Sequence, residues 1–197
     1  SVVTTFDFYA INDLHGKIVT SGNTVGVEGL STYMKQSAAL DDNPIFLSYD
    51  KICEVLDEFR KMGGIHVSLS GGECMMHKDI IRIIKAIRER DCTVALLSNL
   101  TVCSDEIIEA LVEADATVQV SLYSMSPAIH DEVTRRKGSW VETMNAIMRL
   151  RAAQIPVQIS CPCLKINFKG YSEVIRFASS LKMTASTDFI IMGKQDC

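Results

Sequence analysis

Five short runs of aliphatic and β-branched residues, starting about 24 to 40 residues apart and separated by helical patterns, constrain this chain more than any other feature. They are IHVSLSGG (65–72), CTVALLSNL (92–100), TVQVSLYS (117–124), PVQISCPC (156–163) and TDFIIMG (187–193). Runs of this kind mark the buried strands of a parallel sheet. Between them lie YDKICEVLDEFRKMGG, KDIIRIIKAIRERD, SDEIIEALVEAD, SWVETMNAIMRLRAAQ and YSEVIRFASSLKM, which carry helical periodicity. In the second of these, Ile80, Ile81, Ile83, Ile84 and Ile87 share one helical face. Ser104 is placed to cap the third helix, and Gly63-Gly64 to close the first. The βα rhythm implies right-handed crossovers. The expected fold is therefore α/β: about seven mostly parallel strands forming an incomplete (β/α) barrel, with the helices outside. Upstream, FDFYAIN (6–12) and NPIFLS (43–48) are two more strand candidates, flanking a helical pattern, GVEGLSTYMKQSAALDD (26–42). They are expected beside HVSLS, where an uncovered parallel edge would leave backbone groups unpaired.

Composition narrows the class. A chain of 197 residues, 47% hydrophobic and 22% charged, is long enough to bury a substantial core in about one domain. A net charge of −4 with scattered basic residues argues against a nucleic-acid partner. No apolar run reaches membrane-spanning length, and no secretory signal opens the chain, which begins at Ser1 as a processed chain or fragment would. Seven cysteines, an odd number in a chain with a large apolar fraction, do not form a disulfide framework and point to a reducing cytoplasm. Cys53 and Cys92 read as packing thiols.

The segment FYAINDLHGK (8–17) raises a separate question. Asp13 and His15 alternate at a strand end, so both point to one face, and a carboxylate with an imidazole suits a divalent metal. With the glycine-containing loop and GLSTYMKQ that follow, residues 1–48 resemble the opening segment of the metallophosphatase superfamily, most of all its 5′-nucleotidase branch. That resemblance implies that Asp13 and His15 hold one ion of a two-metal centre that activates water against a phosphate ester. The family's Gly-Asp and Gly-Asn-His motifs are missing, because FLS runs directly into YDK and the other histidines, 66, 77 and 130, stand in no such motif. The remaining ligands are not in this chain.

In SLSGGECMMHKD (68–79), two glycines at a strand end let the backbone approach a ligand, and Glu73 beside them offers a carboxylate for an ammonium group. With LLSNLT, VQVSLYS, IHDEVTRRKGSWVETMNAI and IPVQISCP following in order, residues 49–197 resemble the core of radical S-adenosylmethionine enzymes. The branch is similar to the peptide- and protein-modifying maturases that carry auxiliary cluster domains. The resemblance implies S-adenosylmethionine and a four-iron, four-sulfur (4Fe-4S) cluster as cofactors, and a peptide or protein substrate from which a 5′-deoxyadenosyl radical abstracts hydrogen. By the same resemblance, Gly71, Gly72 and Glu73 would receive the methionyl amino group, and Ser98 and Asn99 would lie beside the cofactor. Ser121, Tyr123 and Ser124 would face its ribose or carboxylate. Arg135 or Arg136 would clamp the carboxylate, for which a guanidinium fork is suited. Leu164 and Met192 read as core or rim.

One departure matters more than these matches. The family's cluster is held by Cys-x-x-x-Cys-x-x-Cys after the first strand, and no such spacing exists here. Where it belongs, just upstream of SYDKICEVL, stands NPIFLS. The expectation is a chimera of a phosphatase-like βαβ opening (1–48) and a radical-enzyme partial barrel (49–197), joined at Leu47-Ser48 and lacking radical activity as written. A metal-dependent phosphoesterase and a non-catalytic scaffold that keeps the cofactor cleft are the alternatives. Cys74, Cys103, Cys161, Cys163 and Cys197 all follow strands, so they are the thiols that could gather at the rim in place of the triad, and Cys197 resembles the start of an auxiliary-cluster domain.

Overall fold

The computed structural model describes the backbone of residues 5–9 together with residues 47–70 and 73–187. Six strands, β1 (Thr5–Tyr9), β2 (His66–Ser70), β3 (Thr93–Ser98), β4 (Thr117–Ser121), β5 (Val157–Ser160) and β6 (Thr184–Ser186), form one sheet in chain order. Every neighbouring pair is parallel. The helices described are α1 (Tyr49–Lys61), α2 (Ile80–Glu89), α3 (Asp105–Glu113), α4 (Pro127–Thr134), α5 (Ser139–Ala152) and α6 (Tyr171–Ser180), with a single 3-10 turn at Cys74–Met76. Right-handed crossovers repeated without a reversal of strand order put the helices on one face of such a sheet. The other face becomes the inner wall of an incomplete barrel.

Burial alternates accordingly. Val94, Leu96, Val118, Val120 and Ile159 are buried towards the helices, while Ala95, Leu97, Gln119 and Gln158 on the opposite face are half-buried. Ile83, Ile84 and Ile87 of α2, with Ile147 and Leu150 of α5, complete the outer core. Each such side chain contributes roughly 1.5–3 kcal/mol by leaving water. Local signals agree with this packing. Ser48 Oγ accepts from the Lys51 N–H at 3.2 Å, and Ser104 Oγ from the Ile107 N–H at 3.3 Å, so both helices start on a side-chain cap. After α1, Gly63 adopts φ +87°, and at Gly64 a Cβ would lie 2.1 Å from the Phe59 ring, so no side chain fits there.

Two expectations change. The last described strand is Thr184–Ser186 rather than 187–193, whose residues from 188 onward lie outside the described set. A three-residue link after α6, with Lys182 at φ +54° and Met183 buried, delivers the chain to the sheet that early. Residues 127–134 form a helix that went unpredicted, opened by Pro127 at its first turn. The sheet has six described strands; of NPIFLS only Leu47 and Ser48 are described, and they are not strand, while the helical pattern at 26–42 lies outside the described residues. No described helix is long and apolar enough to cross a membrane.

Candidate functional site

Because all the described strands are parallel, their C-terminal ends share one mouth, the side on which barrels of this kind carry their sites. Each strand from β2 to β6 ends in serine: Ser70, Ser98, Ser121, Ser160 and Ser186. Pleat parity then separates them. Ser98 registers with Val120, whose side chain is fully buried among the helices. Ser121 registers with Ser160, and Ser160 with Ser186, on the opposite, inner face. Ser98 therefore does not share a face with Ser121 at the mouth.

Ser98 joins Glu73 and Asn99 instead. The buried Glu73 carboxylate accepts from the Met75 N–H at 3.0 Å and the Ser98 hydroxyl at 2.7 Å through Oε1, and from the Asn99 N–H at 2.9 Å through Oε2. Ser98 Oγ in turn accepts from the Leu100 N–H at 2.9 Å. Asn99 Oδ1 accepts from the backbone and hydroxyl of Thr101, and its carbonyl accepts from the Thr143 hydroxyl at 2.9 Å. Three donors satisfy Glu73, so its carboxylate ties the turn after β2 to the end of β3. Gly71 and Gly72 lie outside the described residues.

Beyond β4, the residues expected near ribose or carboxylate are held from behind. The Tyr123 N–H donates to Nδ1 of buried His130 at 3.3 Å, and the two rings are 5.6 Å apart. Burial lowers the His130 pKa, against a smaller opposing pull from Asp131. Asp131 accepts from the Trp140 N–H at 2.9 Å, the Gly138 N–H at 2.6 Å and the Ser139 hydroxyl at 3.0 Å. Those donors at the start of α5, led by the Trp140 N–H, hold its carboxyl below the usual range. Ser124 Oγ accepts from the Ser126 N–H at 3.0 Å, and its carbonyl from the Trp140 indole at 3.1 Å. Much of the motif IHDEVTRRKGSW thus serves to fix the chain after β4. Its two arginines are exposed: Arg135 stands at φ +55° after α4, and Arg136 donates to Glu142 Oε1 at 3.0 Å. Arg136 already has a carboxylate partner, so it is a poorer clamp than its motif suggested.

Two stitching residues escaped sequence reasoning. Buried Asn167 donates to the carbonyls of Tyr123 (2.8 Å) and Pro162 (3.0 Å) and accepts from the Leu164 N–H (2.7 Å), which joins the loop after β5 to the end of β4. Its signal was an asparagine in a strand-to-helix turn. Buried His77 accepts from the Asp79 N–H through Nδ1, so Nε2–H donates to the Leu47 carbonyl at 2.9 Å. Leu164 is a half-buried rim residue, and Met192 lies outside the described residues.

The cluster does not fit the described thiols. Cys74 Sγ donates to the Leu97 carbonyl at 3.5 Å, and burial, helped by Glu73, pushes its pKa up to about 12. Cys161 Sγ donates to the Tyr123 carbonyl at 3.8 Å, and burial, then Cys163, pushes it up to about 11. Burial raises Cys103 as well. A cluster needs thiolates, and among the described residues no group of three His, Cys, Asp or Glu could hold a metal. The candidate ligands Asp13, His15 and Cys197 lie outside the described residues.

Comparison with known proteins matches this geometry. The AdoMet-dependent heme synthase of Methanosarcina barkeri is 27% identical over 147 residues, 74% of this chain and 42% of that protein. The sporulation killing factor maturation protein SkfB of Bacillus subtilis is 29% identical over 133 residues, 67% of this chain and 32% of that protein. The chain thus spans less than half the length of these curated relatives. Streptococcus suis SuiB, solved with its precursor peptide SuiA, superposes with a TM-score of 0.67 at 17% identity, over 75% of this chain and 34% of that one, which shows the shared fold. None of these supports a phosphatase-like opening or a chimera. The Radical SAM superfamily model matches residues 32–194, running across the junction expected at Leu47-Ser48. With that match over most of its length, the chain belongs to the radical SAM superfamily.

Proposed function

We propose that this chain is the cofactor-binding barrel of a radical SAM enzyme that acts on a peptide or protein. The observation that carries the reading is the mouth itself, where buried Glu73 locks the turn after β2 to the end of β3. Relatives named as a maturation protein and as an enzyme bound to a precursor peptide support the substrate class. In this reading Gly71 and Gly72 receive the methionyl amino group, and Glu73 holds the chain that follows them to the end of β3. Asn99, Ser121 and Tyr123 face the nucleoside, and Arg135 is the better placed of the two arginines for the carboxylate. Bound S-adenosylmethionine supplies, with a reduced cluster, the hydrogen-abstracting chemistry of the family. Among the described residues no thiol set holds such a cluster, and in this reading the chain by itself is a cofactor-binding scaffold without radical activity.

Anaerobic reconstitution with iron and sulfide, followed by calorimetry with S-adenosylmethionine, tests both halves. Without a cluster iron to chelate the methionine end, affinity is expected on the order of millimolar, about 4 kcal/mol, and bound iron far below one cluster per chain. Stoichiometric iron with a cluster absorption band would overturn the inactivity. No binding heat at about 10 mM ligand would overturn the cofactor site.

A further inference from the structure

The bore of this half-barrel is polar where a closed barrel fills its interior with layers of bulky branched side chains. A cleft of about 450 Å³ runs along the inner wall from the strand starts at Thr117 and Pro156 to Ser70 and Leu97. Gln119, Gln158 and Thr184 line it and are register neighbours on β4, β5 and β6. One step towards the mouth, Ser121, Ser160 and Ser186 repeat the row. Among the described residues, neither glutamine amide has a hydrogen-bond partner, nor does the hydroxyl of Ser160, a residue only 6% exposed.

No described lining residue carries a fixed charge. His66, at the floor, is engaged within the wall: Thr93 Oγ1 donates to the Ile65 carbonyl at 3.2 Å, so it accepts from His66 Nδ1–H at 2.7 Å. The other ring nitrogen lies 3.2 Å from the Ser68 hydroxyl. Parallel strands lie about 4.8 Å apart, so the two glutamines present a paired set of donors and acceptors. A carboxylate entering here would meet no described lysine or arginine to offset its desolvation. An apolar group would leave both amides unpaired.

We propose that this cleft binds an uncharged amide of a peptide, backbone or Asn/Gln side chain, through Gln119 and Gln158. The proposal rests on the peptide reading above and adds to it the part of the barrel that holds the substrate. The probe is acetyl-Gly-Asn-Gly-amide, titrated into ¹⁵N-labelled full chain while the side-chain amide resonances of Gln119 and Gln158 are followed, with the Asn→Asp peptide in parallel. Both resonances should move saturably with the Asn peptide, and the Asp peptide should bind at least about tenfold more weakly. Gln158→Leu and, separately, Gln119→Leu should each weaken binding by a similar factor while leaving S-adenosylmethionine binding unchanged. Unmoved resonances, equal affinity for the two peptides, or unchanged affinity in both variants would overturn the cleft. If the peptide binds as expected and S-adenosylmethionine does not bind at all, the cofactor reading fails and the cleft stands.

Discussion

Ser98 and Ser121 are the same residue at the same place on neighbouring parallel strands, yet they belong to different parts of the molecule. Ser98 faces the helices, is buried, and both donates to Glu73 and accepts from the Leu100 N–H. Ser121 faces the bore, half-buried, in a row with Ser160 and Ser186. The outer face of the sheet is an apolar core in which the buried polar residue Ser98 is fully engaged. The inner face is small, polar and only partly satisfied by the described residues. Stability lives on the first face, and recognition is available to the second.

The largest test of that contrast compares consecutive residues of β3. Leu96→Ala, on the fully buried outer side, should cost about 2–5 kcal/mol in urea unfolding. Leu97→Ala, half-buried on the inner side, should cost about 1 kcal/mol or less. Equal costs would mean that the inner wall is a second core, and the division between the faces would collapse.

A smaller effect sharpens the division at the mouth. Glu73→Gln turns one accepting oxygen into an amide donor facing an N–H or a hydroxyl, and should cost about 1–3 kcal/mol. Arg136→Ala, which removes a surface ion pair, should stay within about 0.5 kcal/mol. A negligible cost at Glu73 would show that its carboxylate is available to a ligand after all, as the Gly-Gly-Glu motif had suggested.

The smallest effect is a slope with pH. Burial holds the His130 pKa in the folded protein below its unfolded value of about 6.5. The unfolded chain therefore binds more protons in that window, so the stability this group contributes is present above about pH 6.5 and is lost as pH falls through the folded value. Asp131, also depressed, adds a further loss below about pH 4, as its carboxylate protonates. Equilibrium unfolding from pH 7.5 to 5 should show the His130 slope, and His130→Asn, which can still accept from the Tyr123 N–H, should flatten it. An unchanged slope in that variant would place the titrating group elsewhere.

Much of this was legible beforehand because it is local. The isoleucines of α2, the cap at Ser104 and the stop at Gly63-Gly64 follow from periodicity and backbone sterics, and the structure has them as expected apart from half-buried Ile81. Asn167 and His77 were not legible, because each bonds to carbonyls far away in sequence, Tyr123 and Leu47, and such partners exist only once the strands are side by side. The pairing of Arg136 with Glu142 was not legible for a related reason, since the turn into α5 brings the two together.

The order of strands, the helices between them, the glycine pair before Glu73 and the absence of a three-cysteine spacing are properties of the amino-acid string, and together they determined the barrel family. Which face each strand-end serine serves was decided only by register. Parity along one strand is readable, but its phase relative to the helices depends on which neighbours pair. Tertiary structure likewise turned Glu73 into a brace and Cys74 and Cys161 into buried donors, because burial and hydrogen bonding are set by what surrounds a side chain and not by the residue itself.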